Sequence, residues 1–169
     1  MTVKRKFNKE AYERSKHAEN RVISHLKDHF KIENLGSTYD EDLRIYSKQG
    51  DYLCNADIEV RFKWKQKYFP FYSVHIPIRK RKFIKTDKPF FYFAVNSDGT
   101  DCLVTHSKHI LSSQIVPLTL TYSYGIVKED FFDVPLTKWK QGFDQLPNYI
   151  SEHLRKHKIE QKQTKLDSF

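Results

Sequence analysis

The residues best placed to do chemistry fall in two groups, one acid on a helix and a run of acids and bases further on. Asn8 can cap a helix predicted to run to about Phe30, on which Tyr12, Val22, Leu26 and Phe30 share an apolar face. Glu19 lies on that same face. A carboxylate there must be paired, protonated or bound to a cation, because burying it bare is expensive. The plainer alternative is a slightly rotated helix with Glu19 at the boundary, touching water.

The second group is the segment Gly50 to Arg61, which reads as two short strands turning around Asn55. That turn would set Asp51 directly opposite Glu59 on one sheet face, with Arg61 two residues further along. Opposed like charges are destabilising, and a divalent metal with hard oxygen ligands is the compensation that also does chemistry. Phosphodiester hydrolysis uses this set: carboxylates for Mg²⁺ or Mn²⁺, the metal to polarise the phosphoryl group and acidify a water, and a fixed cation for positioning or charge. The bland alternative is a solvated strand face on which Asp57, Glu59, Arg61 and Lys63 neutralise one another.

An acid on the first helix, an Asp at a strand start and Glu-x-Arg on the next strand together resemble the PD-(D/E)XK nuclease superfamily. The resemblance covers roughly residues 10 to 95. It implies Glu19 as the helix acid, Asp51 and Glu59 as metal ligands joined by Glu19 and the Val60 carbonyl, and Arg61 at the lysine position. Gly50 stands where the motif has proline, and Arg61 cannot give up a proton near neutrality, so only water positioning or charge stabilisation remains open to it. Lys63 is the alternative for that role, and Asp57, on the strand face of Glu59, is the alternative to Asp51. The implied activity is Mg²⁺-dependent cleavage of DNA. A non-catalytic nucleic-acid binder of the same fold and a basic protein-interaction subunit are the competing readings.

The elements that must position these groups follow from pattern. Ile58, Val60, Phe62 and Trp64 alternate with charged residues in a strand, Phe71 to Ile78 makes another that Pro77 should end, and Phe90–Val95 pairs with Cys102–Val104 across an Asp98-Gly99 turn. Ile115 to Tyr124 and Phe131 to Leu136 are further strands, and a basic helix runs from Asn148 to about Lys165 after Pro147. The segment from Tyr39 to Lys48 is a loop or edge strand. The expected fold is α+β (α/β/α), a mixed central sheet flanked by helices with a restriction-endonuclease-like core, in one domain over residues 1–169.

Composition narrows the partners. Lys and Arg outnumber Asp and Glu by 30 to 21, a formal charge of +9, which favours a polyanion such as nucleic acid or, more weakly, an anionic membrane; the resemblance implies DNA more than RNA. His75, Arg79, Lys80, Arg81 and Lys82 are the expected phosphate-binding group, with Lys85 and Lys88 close behind. Arg155, Lys156 and Lys158 are a less specific second. No run approaches the roughly 20 apolar residues of a spanning helix, and Met1 to Glu10 has no apolar segment behind it, so neither membrane nor export is expected. Cys54 and Cys102, lacking CxxC spacing, suit a reduced cytoplasmic protein. His25/His29, His106/His109 and His153/His157 read as chance pairs on exposed helix faces. Relatives often act as dimers, yet no self-complementary surface is legible, so a homodimer stays open. Five glycines leave no Walker loop or dinucleotide fingerprint.

Overall fold

The computed structural model describes residues 8–36, 41–84, 87–122 and 125–169. Helix α1 spans Lys9–Leu26, and the Asn8 side chain accepts a hydrogen bond from the Ala11 N–H at 3.1 Å. Ala18, Val22 and Leu26, one turn apart, carry its buried stripe. Glu19 is buried beside them. The helix stops at Leu26, short of the expected Phe30, and Phe30 packs into the core from the turn that follows.

Strands β1 (Lys31–Asn34), β2 (Leu43–Tyr46) and β3 (Tyr52–Arg61) form an antiparallel meander. Strand β5 (Phe90–Asn96) lies parallel to β3, and β6 (Cys102–His106) and β9 (Lys140–Gln141) complete a six-stranded mixed sheet in the order β1-β2-β3-β5-β6-β9. β5 is buried along its whole length, as its unbroken apolar sequence predicts for a central strand covered on both faces. The expected hairpin pairs Phe93 with Val104, and Gly99 takes the positive φ of its turn, 74°.

A second sheet has the order β4-β8-β7, from β4 (Ser73–Pro77), β7 (Gln114–Tyr122) and β8 (Gly125–Pro135). Pro77 does end its strand, and a 3₁₀ turn over Ile78–Lys80 leads into α2 (Arg81–Ile84). α3 spans Ser107–Leu111, and α4, Leu146–Asp167, begins with a proline in its first turn.

The result is a mixed α+β fold. α1 and α4 cover one face of the large sheet, where Val22, Leu26, Leu146 and Ile150 meet Ala56, Phe91 and Phe93. The other face meets the second sheet: Phe90 and Tyr92 pack on Ile76, Phe132 and Val134, with the short helices α2 and α3 adding Phe83, Ile84 and Ile110. A three-stranded sheet thus stands where a second helical layer was expected. No helix among the described residues is long and apolar enough to cross a membrane. Tyr39, at the start of the expected loop or edge strand, Lys85, among the expected cations, and Tyr124, at the end of an expected strand, lie outside the described residues.

Candidate active site

The hairpin expected around Asn55 does not exist. β3 runs unbroken from Tyr52 to Arg61, and the chain reverses earlier, where Gly50 (φ 98°) closes a turn whose Ser47 N–H bonds the Asp51 carbonyl at 2.8 Å. Asp51 and Glu59 therefore lie on one continuous strand line, about 26 Å apart by extended-chain rise. Asp51 is exposed and holds Ser47, whose hydroxyl bonds its Oδ2 at 3.3 Å. It does not meet Glu59.

The true turn creates a different carboxylate pair. Leu43 pairs with Ala56, so Asp42, one step before β2, stands opposite Asp57 on β3. The Asp42 Oδ2 accepts the Ile58 N–H at 2.7 Å, and Lys80, from the turn after β4, brings Nζ to 2.5 Å of the Asp57 Oδ2. Asp57 is 1% exposed, and neither of its oxygens has an aligned hydrogen-bond donor. Burial first, and then the Asp57 charge, push the Asp42 carboxyl far above the usual carboxylate range, to about 8.

Two residues along the same face, Glu59 accepts from the Tyr92 hydroxyl and lies 3.5 Å from the Arg61 Nη2. Arg61 also donates to the His75 carbonyl at 2.7 Å, which ties the large sheet to the second one. Its guanidinium is a clamp between sheets. Asn55, Asp57, Glu59 and Arg61 share the sheet face of Phe90 and Tyr92, on which the second sheet packs, so Asn55 and Asp57 are buried while the Glu59 side chain stays 39% exposed. Lys63 lies beyond the end of β3, on an exposed turn, so it does not extend that face.

The other expected residues are dispersed. Glu19 sits on the helical side of the sheet, paired with Lys16 at 3.1 Å, and meets neither Asp51 nor Glu59. The His75 Nε2 lies 3.1 Å from Asp133. Arg79 pairs with Glu129, Arg81 lies over the Phe132 ring, and Lys82 over Phe83, so the basic run is folded onto its neighbours. Of that group Lys80 alone reaches the carboxylates. Asp42 escapes sequence reasoning because two features set it against Asp57: a hairpin turning before Tyr52, signalled by Gly50, and a β-bulge between Ile45 and Tyr46, without which Asp42 would stand opposite Ala56.

Among the described residues no group of three or more His, Cys, Asp or Glu converges as a metal site. Asp42 and Asp57 nonetheless fit a hard divalent ion, since Mg²⁺ is commonly held by one or two carboxylates, with waters and substrate phosphates filling its shell. His106, His109 and His153 are not chance exposed pairs. His106 stacks between His109 and His153, with ring centroids at 4.0 and 3.8 Å and planes 28° and 21° apart. Burial, reinforced by neighbouring charges, lowers His106 to about 3 and His153 to about 4. Near-parallel imidazoles do not aim their in-plane lone pairs at one point, so the stack acts as neutral packing. No protein-family model matches the chain, and no curated protein or solved structure matches it either.

Proposed function

We propose that this chain is a metal-dependent nuclease acting on DNA, with Asp42 and Asp57 as the metal-holding carboxylates. The observation that carries the reading is the opposed Asp42–Asp57 pair, one member buried without a hydrogen-bond donor, with the Lys80 ammonium against it. An acid, then an Asp at a strand start, then Asp57 and Glu59 on the next strand keep the order of parts that the PD-(D/E)XK resemblance implies, with Asp42 in place of Asp51.

A bound Mg²⁺ or Mn²⁺ would supply Lewis acidity toward a phosphoryl oxygen and lower the pKa of a water. The chain's own residues do the rest. Asp42, whose proton burial and the Asp57 charge hold on, would have to give that proton up for both carboxylates to hold the ion. Lys80, paired with Asp57 at the edge of the carboxylates, is the cation that would orient a water or offset charge developing on the phosphoryl group. Lys80 replaces Arg61 in this role, because Arg61 is committed to Glu59 and the His75 carbonyl. Glu59, held by Tyr92 and Arg61, fixes the strand face rather than leading the chemistry.

Incubation with supercoiled plasmid and Mg²⁺ or Mn²⁺ tests this. Nicking should require metal, fall at least about 100-fold in Asp57→Ala and in Lys80→Ala, and persist in Asp51→Ala. Nicking that survives Asp57→Ala, or that ignores chelator, would overturn the assignment. A second reading, binding without cleavage, has one observation in its favour: Lys80 already neutralises Asp57. It predicts DNA affinity that falls steeply with salt and no nicking under any metal.

A further inference from the structure

Beside the carboxylate pair the surface opens into a cavity of about 590 Å³, within the size range of pockets that hold small organic ligands. Its lining shares elements with the pair. Asn55 is two residues before Asp57 on the same face of β3, about 7 Å away, and Arg44 follows Asp42 on β2. Lys82 lies two residues beyond Lys80.

The lining is mixed in a particular way. Asn55 is 3% exposed and its side-chain carbonyl has no hydrogen-bond donor. A buried amide oxygen left in that state is costly unless a ligand N–H completes it. The Tyr52 and Phe83 rings supply flat apolar walls, and Lys88 and Lys82 set their ammonium groups 5.7 and 4.7 Å from those ring centroids. Arg44 adds a third cation, held by Glu41 at 3.0 Å, and Asp87 a second acid, so cations outnumber acids around the cavity by three to two.

A hydrogen-bond acceptor at depth, aromatic faces beside it and cations around it match the three parts of a nucleotide: base edge, base face and phosphate. We infer that this cavity receives one unpaired nucleotide of a DNA strand whose neighbouring phosphate reaches Asp42 and Asp57, so that the substrate is single-stranded, frayed or branched DNA rather than continuous duplex. The base would donate an amino or imino N–H to the Asn55 Oδ1, while Lys82 and Lys88 take the flanking phosphate. A base inside duplex shows an amino N–H only at a groove edge, and its face is stacked on its neighbours, so it cannot meet Asn55 and the Tyr52 and Phe83 rings together without being extruded. The inference rests on the nuclease reading for its substrate, but its binding signature does not depend on cleavage.

The test is fluorescence anisotropy without metal, using a labelled single strand and the blunt duplex of the same sequence, with deoxyadenosine monophosphate as a competitor. The single strand should bind more tightly than the duplex. Asn55→Ala and, separately, Lys88→Glu should each weaken single-strand binding about ten-fold, the size of one base or phosphate contact, while Asn55→Ala leaves duplex binding unchanged. Circular dichroism checks folding, and Lys88→Glu, at an exposed position, carries the test if Asn55→Ala does not fold. Equal affinity for the two DNAs, or an equal loss on both in Asn55→Ala, overturns the inference. So does a free nucleotide that binds as tightly as the strand. Single-strand preference that depends on Asn55 in a protein that never nicks would retain the pocket and refute the nuclease reading. Asp57-dependent nicking of duplex plasmid with no effect of Asn55→Ala would do the reverse.

Discussion

Replacing Lys80 by methionine isolates the electrostatics on which the site depends. The substitution keeps most of the aliphatic stem and removes the only cation paired with Asp57 among the described residues, leaving a carboxylate that is 1% exposed without a counter-charge. Removing one partner of a buried pair costs about 3–5 kcal/mol. The Lys80 side chain is 25% exposed, so water already screens the ammonium, and the loss should fall near the lower end, about 3 kcal/mol. For a chain of this size that corresponds to a drop of about 6–12 °C in Tm. Urea and thermal denaturation followed by circular dichroism measure it. Two companions fix the cause. Adding Asp57→Asn to Lys80→Met removes the stranded charge and should restore most of the loss, and millimolar Mg²⁺ should stabilise Lys80→Met more than the parent, because no ammonium competes for Asp57. Lys80→Met within about 1 kcal/mol of the parent, or a double variant no more stable than Lys80→Met, would refute the reasoning.

Two further outcomes concern pH. Asp42 is raised in the folded state from an unfolded value near 4 to about 8, so between those values the native state holds a proton that the unfolded chain has lost, and this group's contribution to stability falls as pH rises. Urea midpoints should therefore decline less with pH across that window in Asp42→Asn than in the parent; parallel curves would remove Asp42 as the titrating group. His106 and His153 are depressed below their unfolded value near 6.5, to about 3 and about 4, so the unfolded chain gains protons first and stability drains away as pH falls below about 6.5. His153→Phe keeps a ring in the stack and should flatten that acid limb, and an unchanged limb would place the acid sensitivity elsewhere.

Much of the architecture could be read locally. The Asn8 cap, the Val22–Leu26 stripe, the Asp98-Gly99 turn and the helix after Pro147 are each encoded within a few residues, by capping, periodicity or backbone freedom, and each forms about where expected. The wholly apolar run Phe90–Val95 likewise announces a strand buried on both faces. The chemical types were legible too: paired carboxylates on adjacent strands with a cation close by. Which carboxylates meet was not, because the pairing depends on where a hairpin turns. With the turn before Tyr52 rather than at Asn55, Tyr46 pairs with Tyr52, and a β-bulge between Ile45 and Tyr46 shifts the register by one residue, which together exchange Asp51 and Glu59 for Asp42 and Asp57.

The remaining decisions belong to contacts between residues distant in the chain. The alternation of Asp57, Glu59 and Arg61 says only that they share a face, and the packing of distant segments decides that Asp57 is buried there while Glu59 stays partly exposed. Lys80 became the partner of Asp57 because β4 crosses to that sheet and ends at Pro77, a path of 23 residues that no local pattern specifies. By itself the sequence determined the helices and strands that local pattern encodes, such as α1, β5 and α4, together with the basic charge and the class of side chains available. Tertiary structure decided their company, since burial and the charge of a neighbour set what a carboxylate or an imidazole can do, and both are properties of the assembled fold.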